Sequence, residues 1–147
     1  MTQMVARAVS AVFAASIAAA SSAAFGYGAI AIGEPDDVAK DGLAMGWSAD
    51  IETQEKASEE ALYWCGNVTE PPVKAETRAL CKIVYTFRHE CIAVAVDSKP
   101  HTPGWGWASG ATKEAALADA MAHCQAKAGP ERAQYCAAQI NACDTSP

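Results

Sequence analysis

Two tryptophans one residue apart are the first residues of this sequence that could bind a ligand. Trp105 and Trp107 lie in the segment GWGWASG, each directly after a glycine. In an extended chain, alternate residues project to the same face, so the two rings would form one flat aromatic shelf. Such a shelf suits a sugar ring or the apolar anchor of a partner protein, because Trp is enriched at binding hot spots.

His101 lies next to this segment, in the loop KPHTPG, between Pro100 and Pro103. The prolines restrict the backbone on both sides of it. Because histidine titrates in the physiological range, His101 could gate a contact with a ligand. The alternative is an ordinary surface histidine.

No catalytic set is recognisable in the sequence. No serine stands in a G-x-S-x-G turn, and cysteines that are all paired would leave no thiolate for nucleophilic attack. Acids such as Asp97 or Glu114 would serve an envelope hydrolase only if the fold placed two carboxylates across one cleft. No phosphate-binding glycine loop is present, so we expect no cofactor.

Residues 1–24 have the pattern of an export signal, with Arg7 ahead of an apolar segment and small residues at 22–24. The apolar segment is shorter than the roughly 18 to 20 residues that cross a bilayer, so cleavage is favoured over a membrane anchor. Residues 25–147 would then form a single exported domain, periplasmic or extracellular. Without Arg7 this domain has 10 basic and 17 acidic residues, which argues against nucleic acid or stable membrane insertion.

An even number of cysteines in a small exported chain indicates disulfides. A metal site would need close pairs such as C-x-x-C, which the sequence lacks, and its histidines are not spaced as ligands. We therefore expect no metal. The six cysteines are Cys65, Cys81, Cys91, Cys124, Cys136 and Cys143.

The chain contains two copies of one unit, at about 27–88 and 91–143. The segment YGAIAIG aligns with CIAVAVD, and GWSADIETQEKASEEALYWC aligns with GWASGATKEAALADAMAHC. In this alignment Trp47 corresponds to Trp107, whereas Met45 stands where the second copy has Trp105. Equivalent cysteines should form equivalent bridges, although sequence alone allows 15 pairings. The repeat predicts the bridges Cys65–Cys81 and Cys124–Cys136, which leaves Cys91–Cys143.

The sequence pattern in each copy predicts two strands, a helix and a third strand. Alanine alternates with Ile or Val in 29–32 and 93–96, which is typical of a strand with two different faces. Alanines at four-residue spacing lead to Cys65 and Cys124, which predicts helices that pack tightly on a sheet. We expect an α+β fold with a pseudo-twofold repeat of a ββα-β unit, a largely antiparallel sheet and two helices on one face. The alternative is two separate small sheets, one per copy.

The repeat also offers a packing interpretation of the tryptophans, in which their rings fill the space over Ala93 and Ala95. Structural residues tend to be kept in both copies of a repeat, which favours the core for Trp47 and Trp107. For Trp105 the binding and packing interpretations both stay open.

These features resemble the bacterial domain-of-unknown-function 4189 family. The likeness rests on YGAIAIG, on the GWGWASG turn before a helix that ends in cysteine, and on the paired cysteines, and it covers about Tyr27 to Cys143. Met45 and the acidic, proline-containing loop at 70–76 depart from the family's pattern. The resemblance implies an exported, disulfide-stabilised fold and supplies no catalytic residues.

From the sequence we expect a non-catalytic exported binding module that recognises a protein partner, as an inhibitor, adaptor or envelope factor. The alternative ligand is a cell-wall carbohydrate that stacks on an exposed tryptophan, and an envelope hydrolase ranks third. The candidate binding residues are Trp105, Trp107, Trp47 and His101.

Overall fold

The computed structural model describes residues 26–69 and 73–144. The predicted export signal, 1–24, lies outside these residues. The strands are β1 (Tyr27–Gly33), β2 (Ala44–Ile51), β3 (Lys82–Phe87), β4 (Cys91–Asp97), β5 (Trp105–Gly110) and β6 (Cys136–Cys143). The helices are α1 (Val38–Asp41), α2 (Gln54–Gly66), α3 (Ala75–Ala79) and α4 (Lys113–Ala128), and a 3-10 helix, Ala133–Tyr135, precedes β6.

The strands form two three-stranded antiparallel sheets, one from each half of the chain, in the orders β2-β1-β3 and β5-β4-β6. The α+β class and the antiparallel pairing predicted from the sequence are confirmed. The arrangement follows the alternative of two small sheets, one per copy. A six-stranded sheet does not form among the described residues, because the edge strands of the two halves do not pair and the sheets instead pack through their branched side chains.

The two faces of each sheet carry apolar side chains of different size. Branched residues of both sheets, among them Ile30 and Val94, meet in a central layer. The alanines point the other way: Ala31 packs with α2, and Ala95 packs with α4. The two long helices, α2 and α4, therefore lie on the outer surfaces of the two sheets, one on each. They do not share one face, contrary to the prediction from the sequence.

Glycines let each helix approach its sheet closely. A Cβ atom on Gly46 would lie 2.2 Å from the Ala61 carbonyl oxygen of α2. A Cβ atom on Gly106 would lie 2.7 Å from the Cys124 backbone nitrogen of α4. These distances are shorter than van der Waals contact, so a larger residue at either position would push the helix away from the sheet.

Three disulfides are present, and their map confirms the pairing predicted from the repeat. Two of them tie the end of a helix to the beginning of the next strand of the same sheet, and the third ties β4 to β6. Such bridges persist in oxidising compartments. No helix in the described ranges is long and apolar enough to cross a membrane. The bridges are Cys65–Cys81, Cys124–Cys136 and Cys91–Cys143.

Candidate functional site

A cleft of about 790 Å³ opens between the two sheets beside β2. Apolar side chains line much of it, among them Leu43, Met45, Val96 and Ile140. Among the described residues β2 pairs only with β1. The second edge of β2 therefore presents backbone N–H and C=O groups beside the cleft, as edge strands do.

On the side of the molecule opposite to the cleft, an aromatic pair closes the seam between the two sheets, where β3 lies beside β5. We call this side the closed flank and the side with the cleft the open flank. Tyr85 of β3 and Trp107 of β5 have ring centroids 5.3 Å apart. The Tyr85 hydroxyl donates a hydrogen bond of 2.7 Å to Glu90 and accepts one of 3.4 Å from Ser109. Trp107 is half-buried there, packed against the central core.

Tyr85 and Ile140 occupy equivalent positions in the two copies. Each lies on the third strand of its sheet, Tyr85 opposite Ile30 and Ile140 opposite Val94 on the central strands. Trp47 lies opposite Ile30 on the other side, as Trp107 does for its own central strand. Trp47 and Ile140 both line the cleft, and Trp47 is 39 % exposed. The cleft therefore opens where the smaller isoleucine stands in place of tyrosine.

Trp105 is only 5 % exposed and belongs to the core between the sheets. Its indole Nε1 donates to Glu34 Oε1 at 3.1 Å. The Lys127 ammonium lies 3.8 Å from the centroid of the Trp105 ring and 3.2 Å from the same Glu34 oxygen. Glu34 follows β1, whereas the other two residues belong to the second copy. This cluster joins the two halves of the chain and fixes Trp105 as part of the cleft wall.

The tryptophan rings do not lie over the alanines of β4. Trp105 is directly opposite Val96 in the strand pairing, and directly opposed residues share a face. Ala93 and Ala95 lie on the other face, where α4 covers them. The packing interpretation based on these alanines is therefore wrong. Equivalent positions in the two copies also differ in burial. Trp107 packs against the core, whereas Trp47 remains exposed.

Asp97 forms a polar corner of the cleft and is 3 % exposed. It accepts hydrogen bonds from Arg132 Nε at 2.7 Å, Thr102 Oγ1 at 2.8 Å and the Lys99 backbone N–H at 2.9 Å. Burial raises the pKa of the Asp97 carboxyl, but the three donors outweigh burial and hold the pKa below its ordinary value. This carboxylate fixes the loop between β4 and β5 and is poorly suited to donate a proton.

The remaining candidate residues are dispersed. His101 is exposed at one end of the cleft, where its Nδ1 lies 3.2 Å from the Ala39 carbonyl oxygen of α1. Glu114 is exposed in the first turn of α4. The second carboxylate that lines the cleft is Glu60 of α2. Within the described residues, no group of His, Cys, Asp and Glu is placed to hold a metal ion.

One side of α2 contributes residues that the sequence analysis missed. Glu60, Trp64 and Asn67 line the cleft, and Trp64 is 54 % exposed. The Trp64 Nε1 lies 3.4 Å from the Glu60 carboxylate. Glu60 and Trp64, four residues apart, lie on one side of the helix, and Asn67 caps its C-terminal end. That spacing is visible in the sequence, but only the packing of α2 on β2 places this side at the cleft.

Comparison with known proteins identifies the family of the chain. A family model described as "Domain of unknown function (DUF4189)" matches residues 27–143. No curated protein and no solved structure matches the chain. The matched range contains all strands of both sheets, the three disulfides and every residue named above as lining the cleft. The resemblance seen in the sequence is thus confirmed, and the chain belongs to the DUF4189 family.

Proposed function

We propose that this protein is a non-catalytic binding module whose site is the cleft between the sheets, and that its ligand is a segment of another protein. The observation that carries the proposal is the exposure of Trp47 within a largely apolar cleft. Ligand sites are typically concave and mostly apolar, with volumes of about 300 to 1,000 Å³ and a few polar groups that orient the ligand. Removing the Trp47 ring from water would favour association.

The edge of β2 favours an extended protein segment as the ligand. Among the described residues this edge carries no paired strand. A peptide can add to such an edge through main-chain hydrogen bonds, while its alternate side chains enter neighbouring pockets. Met45, Trp47 and Ala49 of β2 all line the cleft. A segment paired with β2 would therefore direct every second side chain into the cleft.

We propose that the protein acts after export, in the periplasm or outside the cell. The support is the signal-like sequence at 1–24 and the presence of three disulfides. A scaffold held by disulfides keeps the cleft preformed, so that less conformational freedom is lost when the ligand binds.

A cell-wall carbohydrate is the second candidate ligand. Trp47 and Trp64 expose 39 % and 54 % of their surface, and both line the cleft. Asn67 and Gln139 bring side-chain amides, which both donate and accept hydrogen bonds, to the same space. Because Trp105 is buried, a sugar would stack on Trp47 and Trp64 instead.

Selection of peptides from a displayed random library against the oxidised protein tests the proposal. Enriched peptides should bind the Trp47→Ala variant about tenfold more weakly than the wild type, the loss expected for a hot-spot residue. The matched control is Tyr63→Ala, which removes an aromatic side chain that is 61 % exposed on α2 and does not line the cleft. This variant should bind as the wild type does.

Two outcomes would contradict a protein ligand in the cleft. Enriched peptides that bind Trp47→Ala and the wild type equally well would place the binding surface elsewhere. A selection that enriches no peptide, together with co-sedimentation on cell-wall polysaccharide that requires Trp47 and Trp64, would replace the protein ligand by a carbohydrate.

A further inference from the structure

We infer that the cleft accepts one aromatic side chain of the partner segment, and that acidic residues flank this side chain in the partner. The inference rests on the proposed function and specifies the chemistry of its ligand. Three features carry it: the equivalence of Tyr85 and Ile140, the exposure of Trp47, and the cations at one end of the cleft.

The first two features show that the open flank, with Trp47 and Ile140, has one aromatic ring fewer than the closed flank, with Trp107 and Tyr85. On the closed flank, Tyr85 supplies the ring that packs on Trp107. On the open flank the equivalent residue is Ile140, and Trp47 has no ring partner among the described residues. The same strand geometry thus presents a tryptophan to open space instead of to a tyrosine. An aromatic side chain from another protein would meet Trp47 there as Tyr85 meets Trp107.

The surroundings of Trp47 also suit an aromatic ring. Met45, Trp105 and Ile140 line the same space. Thioether and aromatic groups make favourable contacts with a ring beyond those of simple area burial. The volume of about 790 Å³ exceeds that of one side chain, which leaves room for the adjoining backbone of a segment that follows β2.

The charges at one end of the cleft indicate acidic neighbours for this ring. Two lysines, Lys40 and Lys99, line that end and are exposed, with the polar side chain of His101 beside them. Among the described residues, neither lysine forms an ion pair, whereas Asp97 is paired with Arg132. The whole chain has a net charge of −6, and Lys40 and Lys99 are the basic residues that line the cleft among the described residues. These cations would attract carboxylates of the partner and set the orientation of the segment.

Titration of short peptides into the oxidised protein tests the inference, with the indole N–H signals of the tryptophans followed in proton–nitrogen correlation spectra. The probes are the blocked pentapeptides DDYDD, DDLDD and KKYKK. DDYDD should shift the Trp47 signal and bind about tenfold more tightly than the other two. Trp47→Ala should weaken DDYDD binding about tenfold, and Tyr63→Ala should leave it unchanged.

A second variant places the missing ring in the chain itself. Ile140→Tyr should restore the aromatic pair on the open flank, fill the cleft and weaken DDYDD binding about tenfold. Ala138→Tyr is the matched control, because it adds a tyrosine to the same strand at an exposed position that does not line the cleft, and it should bind as the wild type does. Circular dichroism establishes that both variants are folded. If Ile140→Tyr does not fold, Trp47→Ala, at a partly exposed position, decides whether the cleft binds the aromatic side chain.

The outcomes separate this inference from the proposed function. Equal shifts of the Trp47 signal by DDYDD and DDLDD would overturn the aromatic preference, and equal binding of DDYDD and KKYKK would overturn the acidic flank. In both cases a cleft that binds protein segments would stand. If neither these probes nor any library peptide affects Trp47, the inference and the proposed function both fail.

Discussion

The rings of Tyr85 and Trp107 lie 5.3 Å apart and join the two sheets along the seam between β3 and β5. Among the described residues, no aromatic pair joins β2 and β6 on the other flank. The two sheets are therefore held together by rings on one side and open into a cleft on the other.

Loss of this ring pair should destabilise the fold. Tyr85→Leu is expected to lower the free energy of unfolding by about 1 to 2 kcal/mol, because aromatic pairs contribute roughly 0.5 to 1.5 kcal/mol beyond area burial and the hydroxyl also loses its hydrogen bonds. Urea unfolding measures the change. Tyr63→Leu removes a ring that also contacts an aromatic neighbour, Trp64, but both rings are exposed on α2, so stability should change by less than about 0.5 kcal/mol. Equal losses in both variants would contradict a special role of the seam.

Trp105 should matter for stability more than Trp47 does. Trp105→Ala should cost about 3 to 5 kcal/mol of unfolding free energy, as truncation of a buried tryptophan does. Trp105→Phe keeps a ring but loses the N–H donor to Glu34, so we expect a smaller cost of about 1 kcal/mol. Thermal and chemical unfolding measure both variants against Trp47→Ala. A Trp105→Ala variant as stable as Trp47→Ala would show that this cluster does not hold the halves together.

Close approach of α2 to β2 should depend on Gly46. Gly46→Ala places a Cβ atom 2.2 Å from the Ala61 carbonyl oxygen and should cost about 1 to 3 kcal/mol of unfolding free energy. The control is Gly66→Ala at the end of the same helix, where a Cβ atom meets no atom within 4 Å. This change should raise stability by about 0.4 to 1 kcal/mol, because alanine restricts the unfolded chain. Changes of the same sign in both variants would refute the steric argument.

Acid should weaken the fold partly through Asp97. Its pKa is lower in the folded protein than in an unfolded chain, so the unfolded state binds more protons in the window below about pH 4. The stabilisation is therefore complete above this window and is lost as the pH falls through the folded pKa. Unfolding free energies measured at several pH values should show a difference between wild type and Asp97→Asn that shrinks on acidification. Asp119→Asn, on the exposed side of α4, serves as the control, and a pH-independent difference for Asp97→Asn would contradict the assignment.

Removal of disulfides should reduce stability in the order of the loops that they close. The chain-entropy estimate gives about 4 kcal/mol for a loop of the size closed by Cys91–Cys143 and about 3 kcal/mol for one of the size closed by Cys124–Cys136. The sequence separations are 52 and 12 residues. Double replacement by alanine, followed by urea unfolding, measures each bridge. A larger loss for the shorter loop would indicate that native contacts, and not loop closure, dominate.

Local patterns were sufficient to predict the six strands, the two long helices and the disulfides, but not the short helices α1 and α3. Alternation of alanine with branched residues in 29–32 and 93–96 reflects the period of a strand, which depends only on neighbouring residues. The bridges were predictable because the two copies place a cysteine at the end of each helix and another at or just before the following strand. The partner of Cys91 then followed by elimination.

The layer arrangement and the cleft were decided by the tertiary structure. Trp47 and Trp107 share the local sequence Gly-Trp, seven and six residues before a helix begins, yet one is exposed and the other packs on a tyrosine. The difference arises in the opposite sheet, where Tyr85 packs on Trp107, whereas Ile140, which lines the cleft with Trp47, supplies no ring. These facing residues come from the opposite copy of the repeat and are distant along the chain. No local pattern records such a contact, because it exists only after the two sheets have packed face to face.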